Sequence, residues 1–242
     1  MLGHRLLVLS DAHLGATSPE VEEALLSFLD QAPTLGDCLL LNGDLFDFWF
    51  AYRRVIPRQS FHVAAEIRRL RRRIPVVMVG GNHDRWGEEF WERDLGVDFA
   101  PLEMTIEVGH RAVLAVHGDG LTEAHWSAEM MHRITRHPLA IALWKLLHPD
   151  VGFWLVDRMS HSLGNTTRRE EILDRAAIRQ REWAERRLAG ASAPDCVVMG
   201  HTHRPALSEP VPGRQYVNPG AWMDGYRYAV ITDSDAELRT WK

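Results

Sequence analysis

The segment Leu6-Leu-Val-Leu-Ser-Asp-Ala-His13 joins a short apolar run to a polar cluster that follows it directly. Asp11 and His13 lie two residues apart, and side chains with this spacing at a strand end point the same way. Similar apolar runs, each followed by a polar cluster, occur at residues 38–42, 76–80, 113–117 and 196–200. Runs of this length are typical of buried strands. The pattern predicts an α/β protein whose polar groups gather at one sheet edge, where such folds place ligands.

The polar clusters contain carboxylate, amide and imidazole groups and no thiolate. They are Asp11-Ala-His13, Gly43-Asp44-Leu-Phe-Asp47, Gly81-Asn82-His83-Asp84, His117-Gly118-Asp119 and Gly200-His201-Thr-His203. This chemistry suits divalent Mn, Fe, Zn or Mg. If one carboxylate bridges, the clusters can hold two ions, and two ions about 3.5–4 Å apart can clamp a phosphoryl group and lower the pKa of a bridging water. One cluster alone is equally well explained as a structural turn, but five in order favour metal binding.

Helical segments alternate with these strands. Ser18 and Pro19 predict the start of a first helix, and a second is predicted over residues 61–73. Residues 104–116 predict a β-hairpin, and residues 214–241 predict further strands. We therefore expect one domain of alternating strands and helices.

One long segment, residues 122–189, interrupts the alternation because it has helical period and few strand signals. We expect a helical lid inserted at about 122–168 within a single domain of residues 1–242, followed by a charged helix at 169–188. Apolar side chains of the lid could line an acyl-chain groove or touch a membrane, or they could simply pack the lid onto the body. They are Trp126, Met130, Met131, Ile134, Leu139, Ile141, Leu143, Trp144, Leu146, Leu147, Val151, Phe153, Trp154, Leu155 and Met159.

Composition narrows the class of protein. The chain has 242 residues, is 45% hydrophobic and 25% charged, and carries a formal net charge of −5. These values are ordinary for a globular protein, and the negative charge argues against a nucleic acid partner. Cys38 and Cys196 lie in apolar runs, so we expect buried thiols and a reducing compartment. Without a recognisable signal peptide or membrane span, we expect a cytoplasmic protein, with peripheral contact to the inner membrane left open.

The order of the five clusters resembles the calcineurin-like metallophosphoesterase superfamily. That resemblance implies an αββα sandwich, in which helices flank two mixed β-sheets, with a dinuclear metal site. It implies that His83 stabilises the transition state or protonates the leaving group, oriented by Asp84, and that Asp47 and Asp119 fix ligand tautomers. The implied ligands are Asp11, His13, Asp44 and His203 for one metal, and Asp44, Asn82, His117 and His201 for the other, with Asp44 bridging.

Longer strings resemble a narrower family, the UDP-2,3-diacylglucosamine pyrophosphohydrolases of lipid A biosynthesis. These strings are Gly43-Asp-Leu-Phe-Asp-Phe-Trp49, His117-Gly-Asp-Gly-Leu121, Gly200-His-Thr-His-Arg-Pro205 and Gly220-Ala-Trp222. The resemblance implies hydrolysis of a UDP-linked, doubly acylated glucosamine to the acylated sugar phosphate and UMP, usually with manganese. It implies that a metal-activated hydroxide attacks a phosphorus while His83 and His201 stabilise the added charge.

The same resemblance implies substrate contacts at Asn82, His83, His201, Asn165 and Arg168. Arg168 can alternatively be read as the first residue of the charged helix. The chain departs from the better-known sequences, which carry Arg where this chain has His83 and an acidic residue near the position of His125.

These departures leave open a metallophosphoesterase acting on another phosphodiester, nucleotide or phosphomonoester. A binding scaffold that keeps the fold without catalysis is a separate alternative, but such proteins typically lose a ligand or the His of Gly-Asn-His-Asp, and none is lost here. The arginine run at residues 68–73 could meet anionic lipid, or it could be a solvated helix face.

Overall fold

The structure, a computed structural model, describes residues 1–50, 52, 54–87, 89–121, 134–135, 137–156, 158 and 170–242. Its strands are β1 (Arg5–Leu9), β2 (Cys38–Asn42), β3 (Val76–Val79), β4 (Asp98–Ala100), β5 (Glu103–Val108), β6 (Arg111–Val116), β7 (Cys196–Val198), β8 (Ala206–Val211), β9 (Arg214–Asn218), β10 (Arg227–Thr232) and β11 (Ala236–Thr240). Its helices are α1 (Pro19–Leu35), α2 (Phe61–Leu70), α3 (Pro138–Trp144), α4 (Pro149–Val156) and α5 (Glu170–Leu188). A short 3₁₀ turn (Arg58–Ser60) precedes α2, and a π-helical turn (Phe90–Leu95) precedes β4.

The strands form two mixed sheets. The first has six strands in the order β11-β10-β1-β2-β3-β4, with β1 to β4 parallel and β10 antiparallel to both of its neighbours. The second has five strands in the order β5-β6-β7-β9-β8, with a parallel centre and antiparallel edges. Parallel strands place their carboxyl ends at the same edge, so the loops that follow β1, β2 and β3 meet there.

The side chains of β1 alternate between the two faces of the first sheet, and this alternation explains how the layers stack. Leu6 and Val8 face the second sheet and pack in a core between the two sheets. Leu7 and Leu9 face the other way and pack against α1 and α2. On the outer face of the second sheet, α5 covers residues of β6, β7 and β9. Helices therefore flank two face-to-face sheets, and the predicted αββα sandwich is confirmed.

Local signals explain the helix and strand ends. Helix α1 begins at Pro19, as predicted. The second helix ends at Leu70 rather than at residue 73. Pro75 disfavours helical backbone in the residue before it, so the chain turns through residues 71–73 into β3. The predicted hairpin is present as β5 and β6, and Cys38 and Cys196 are buried free thiols, as expected.

Strand β8 is not among the predicted strands. It is an edge strand that is mostly exposed, and it contains Glu209 and Pro210. Polar residues and proline are tolerated at sheet edges because no further strand needs the outward hydrogen-bonding groups. The sequence of β8 therefore lacks the apolar alternation that marks the central strands.

Within the predicted lid, α3 and α4 are two short helices that meet at a bend of 118°. In the described part of the chain, no single helix is long and apolar enough to cross a bilayer, although this bent pair satisfies the length and composition criteria jointly. The charged helix predicted at 169–188 is present as α5.

The arginine run at the end of α2 contacts the protein's own surface. Arg69 pairs with Glu66 and Asp30, and the Arg71 Nε–H donates to the Gly96 carbonyl at 2.7 Å. Arg73 likewise donates to a backbone carbonyl. These contacts favour the interpretation as a solvated face over a lipid-binding patch.

Candidate metal centre

The loops after β1, β2, β3, β6 and β7 bring their polar clusters together. Donor atoms lie within 4.8 Å of one another in each of three groups. The groups are Asp11, His13 and His203; His13, Asp44 and His83; and Asp44, His117 and His201. The first and third groups each contain three of the four residues in one of the ligand sets that the sequence resemblance implied, and the middle group adds His83 to the same centre.

Asp44 lies at the middle of this centre. Its Oδ2 atom is 3.2 Å from His117 Nε2 and 3.8 Å from His13 Nε2. The Oδ1 atom of Asp11 lies 3.9 Å from the same His13 nitrogen and 3.5 Å from His203 Nε2. A carboxylate between the two sets is in the position that a bridging ligand requires.

Several donor atoms of the centre are buried without a hydrogen-bond partner. They include His13 Nε2, His117 Nε2 and Asn82 Oδ1. A buried polar atom without a partner costs roughly 1–3 kcal/mol, so three in one place need an explanation. The Nδ1 atom of His117 lies 2.8 Å from the Asn42 carbonyl oxygen and must donate to it, which leaves the Nε2 lone pair facing Asp44. Divalent cations bound at this centre would satisfy all three atoms, so the residues fit a metal site.

The backbone at the ligands is strained. Five of the predicted ligands have left-handed backbone, with φ of 54° at Asp11, 45° at His13, 52° at Asp44, 67° at His201 and 57° at His203. In the described ranges, Tyr226 is the only other residue besides glycines with positive φ. Such conformations cost about 1–3 kcal/mol each and persist where the surroundings enforce them, typically at functional sites.

Two glycines permit the loops to approach closely. A Cβ atom at Gly81 would lie 2.0 Å from Asp44 Oδ1, and one at Gly43 would lie 2.3 Å from His117 Nδ1. No larger residue fits without displacing a ligand, which explains why glycine precedes Asp44 and Asn82.

Charges at the centre strongly favour bound positive charge. Burial alone would raise the pKa of Asp11, but the hydrogen bond and charge of His203, together with His117, lower it to about 2. Burial alone would lower the pKa of His117, but Asp44 raises it to about 10. A divalent cation supplies more positive charge to these carboxylates than protonated imidazoles do.

Asp84 has a different contact from the one expected. Its carboxylate accepts the backbone N–H groups of Leu45 at 2.7 Å and Gly81 at 2.9 Å, so it ties the loop of Asp44 to its own loop. Burial and the charge of Asp44 raise the pKa of Asp84 to about 6. The His83 ring contacts the Asp47 carbonyl oxygen instead, through Nδ1. Asp84 therefore positions the backbone of the Asp44 loop and Asp47 contacts the His83 ring, while a role of Asp84 in orienting His83 stays a prediction.

Asp47 and Asp119, the other two carboxylates expected to support the ligands, make different contacts. Asp47 Oδ1 lies 3.6 Å from His13 Nδ1, consistent with a role in fixing the tautomer of His13. Asp119 forms a buried ion pair with Arg85, and this pair joins the loop after β3 to the loop after β6. The charge of Arg85 keeps the pKa of Asp119 low despite burial, which alone would raise it.

Sequence reasoning missed Asp224. Its Oδ2 atom lies 3.3 Å from His203 Nδ1, so the carboxylate orients the ring and leaves Nε2 facing Asp11. The available signal was its position two residues after the Gly220-Ala-Trp222 string. That string marks a turn, and only the tertiary fold places the turn beside His203.

An aromatic wall stands next to the centre. Phe48 packs against Phe153 of α4 with ring centroids 5.2 Å apart and against Trp144 of α3 at 6.2 Å. A cleft of about 280 Å³ opens between this wall and the metal loops. Its lining residues are Leu14, Gly15, Asp47, Phe48, Gln59, Phe153, Trp154 and Val156.

The α3–α4 hairpin has one packed face and one exposed face. Phe153 and Trp144 pack on the body, as the packing interpretation required. Its other face leaves five large apolar side chains exposed, namely Leu139, Leu143, Leu146, Val151 and Trp154. The predicted substrate contacts Asn165 and Arg168 lie outside the described residues, as do His125, Trp126, Met130, Met131 and Met159.

An αββα sandwich with Asp, His and Asn ligands at one sheet edge is the architecture of a metallophosphoesterase. The chain belongs to the calcineurin-like phosphoesterase family, whose model matches residues 4–205. It is accordingly a phosphoesterase enzyme with a centre suited to divalent metal ions.

More specific relatives share one name. A protein named UDP-2,3-diacylglucosamine hydrolase from Bordetella pertussis is 30% identical over 83% of this chain and 78% of its own length. One of the same name from Pectobacterium carotovorum is 26% identical over 96% of this chain and 97% of its own length. A third, from Porphyromonas gingivalis, is 31% identical, with a match that spans 58% of this chain and 56% of that protein.

Proposed function

We propose that this enzyme hydrolyses the pyrophosphate of UDP-2,3-diacylglucosamine to acylated glucosamine 1-phosphate and UMP. The observation that carries the proposal is the exposed apolar face of the α3–α4 hairpin, which rises beside the metal centre across the cleft lined by Phe48 and Phe153. A substrate with a charged pyrophosphate and two acyl chains matches a polar centre flanked by an apolar surface. The names of the relatives support the same substrate.

Each type of group in the centre has a chemical role in this proposal. When bound, two divalent cations make water nucleophilic at neutral pH and neutralise phosphoryl charge. Asp11, His13 and His203 would hold one cation, Asn82, His117 and His201 would hold the other, and Asp44 would contact both. Manganese is the proposed metal, and the same donor set also accepts Fe, Zn or Mg.

The supporting residues keep the centre rigid. The backbone contacts of Asp84 fix the loop of Asp44, and the Asn42 carbonyl fixes the tautomer of His117. His83 and His201 line the same centre and would donate to the phosphoryl oxygens as negative charge develops. Because no reorganisation is needed at the moment of reaction, such fixed donors stabilise the transition state more than the ground state.

Product analysis tests the proposed substrate. Purified enzyme with Mn²⁺ is incubated with UDP-2,3-diacylglucosamine in detergent micelles and, in parallel, with bis(4-nitrophenyl) phosphate. We expect mass spectrometry to detect UMP and the acylated glucosamine 1-phosphate, with a kcat/KM at least about a hundredfold above that for the aryl diester. Efficient release of nitrophenol beside an intact lipid would instead assign the enzyme to another phosphodiester.

A separate prediction concerns the exposed apolar face of the α3–α4 hairpin. Leu143 and Leu146 are 66% and 81% exposed, so replacing both with serine removes apolar surface without opening a cavity. Burying each leucine against an acyl chain is worth about 1.5 kcal/mol, so we expect kcat/KM for the lipid to fall by about tenfold or more. The aryl diester rate and the melting temperature are expected to stay unchanged.

The matched control for this pair is Ile178→Ser. Ile178 is 59% exposed on α5, and we expect its replacement to leave both rates unchanged. If L143S/L146S cleaves the lipid as fast as the parent enzyme, the exposed face is not a lipid-binding surface.

The same face would place the enzyme against the cytoplasmic side of the inner membrane, and we include this peripheral location in the proposal.

A further inference from the structure

Helix α5 presents one buried stripe to the rest of the protein. Its buried residues are Gln180, Ala184 and Leu188, spaced four apart on a helix that is otherwise largely exposed. Ala184 and Leu188 pack in the apolar cluster on the outer face of the second sheet. Gln180 is fully buried, although an apolar side chain of similar size would pack there without the cost of desolvating an amide.

Both ends of the Gln180 amide form hydrogen bonds with the loop that carries His201 and His203. Its Nε2 atom donates to the Gly200 carbonyl at 2.9 Å, and its Oε1 atom accepts from Thr202 Oγ1 at 3.2 Å. Asn218, also fully buried, completes the network by donating to the Gly200 carbonyl and to Thr202 Oγ1, both at 3.2 Å. The Gly200 carbonyl and the Thr202 hydroxyl, on either side of His201, are thus held by side chains from α5 and β9.

Gln180 also lies against the loop that carries His117. A Cβ atom at Gly118 would fall 2.2 Å from Gln180 Nε2, so the backbone of this loop passes directly over the amide. Gly118 has φ of 112°, which allows that approach. The Gln180 side chain therefore touches both the loop that carries His117 and the loop that carries His201 and His203.

We propose that Gln180 is a positioning residue that sets the spacing of His117, His201 and His203 and so tunes the affinity of the metal centre. The inference deepens the proposed function and rests on it, since it takes these histidines to be metal ligands. Left-handed backbone at His201 and His203 needs such support, because each residue would relax to a more favourable conformation if its loop were released.

The test compares Gln180→Met with Leu188→Ala in the full-length protein. Methionine keeps the volume of Gln180 and removes every polar contact. We expect Mn²⁺ titrated into metal-free Q180M by calorimetry to bind about tenfold to a hundredfold more weakly than to the parent protein. At saturating Mn²⁺, kcat for bis(4-nitrophenyl) phosphate should recover in large part while KM stays within about twofold.

Leu188→Ala opens a cavity in the same buried stripe and lowers the melting temperature, but it should leave the Mn²⁺ affinity unchanged. Equal Mn²⁺ affinity of Q180M and the parent protein would overturn the proposal, as would an equal loss in L188A, since both would make Gln180 a packing residue only.

If Q180M does not fold, Thr202→Val is a second variant that tests the same network. It removes the hydroxyl that bonds to Gln180 and should weaken Mn²⁺ binding by about tenfold. Combined with Q180M, its effect should be less than additive, because both changes break one network. Failure of the proposed function has a different signature, in which the parent enzyme binds Mn²⁺ and cleaves the aryl diester but leaves the lipid intact.

Discussion

Replacing Asp44 with alanine is expected to lower hydrolysis of both the lipid and the aryl diester by about a thousandfold or more. Asp44 is shared by two of the three donor groups, and its Oδ2 atom lies 3.2 Å from His117 Nε2 and 3.8 Å from His13 Nε2. The neighbouring carboxylates have other contacts, because Asp11 lies nearer to His203, at 3.5 Å, than to His13 or His117, at 3.9 and 4.0 Å, and Asp84 is bound to backbone amides. The variant should therefore lose the contact common to both metal positions.

Metal content and folding identify the cause of that loss. We expect elemental analysis to show a fall from about two bound Mn²⁺ ions per chain to one or fewer. The circular dichroism spectrum should be unchanged, since the apolar cores do not include Asp44. Asp98→Ala, which removes an exposed carboxylate on β4, is the control and should retain full activity. Near-normal, metal-dependent activity in D44A would contradict the bridging position and with it the dinuclear assignment.

The ligands were predictable because their signals are local. Each follows a short strand that is buried at all positions or all but one, and glycines stand where a Cβ atom would strike a ligand, as at Gly43 and Gly81. The central strands and the first helix were predictable for the same reason, since burial on both faces leaves an unbroken apolar run. The residues that directly follow each predicted strand are therefore sufficient to predict candidate ligands and their order along the sheet edge.

Supporting contacts were not predictable, because they join residues far apart in the chain. The Asp84 carboxylate binds the backbone N–H of Leu45, 39 residues away, a contact that its position beside His83 did not predict. Asp224 has the neighbouring Gly220-Ala-Trp222 string as its one local signal and Gln180 has none, and each acts on a histidine loop that only the fold brings near. Strand β8 was not predicted for a different reason, because an edge strand can contain polar residues and proline and so lacks an apolar run.

Replacing His83 with glutamine is expected to reduce kcat by about a hundredfold to a thousandfold while Mn²⁺ affinity stays within about twofold. The side chain of His83 is 28% exposed, more than those of His13, His117 and His203 at 5%, 0% and 19%. Its Nδ1 atom contacts the Asp47 carbonyl oxygen, so Nε2 is the nitrogen left to meet a substrate. A group in this position acts on the phosphoryl oxygens or on the leaving group.

Two aryl diesters distinguish these roles. If His83 protonates the leaving group, H83Q should slow the diester that releases phenol more than the one that releases nitrophenol, because nitrophenolate departs without a proton. If His83 stabilises charge on the phosphoryl oxygens, both diesters should slow equally. His62→Gln, at an exposed position on α2, is the control and should change neither rate. His83 also shares a donor group with His13 and Asp44, so a loss of Mn²⁺ affinity in H83Q would make it a metal ligand and contradict both roles.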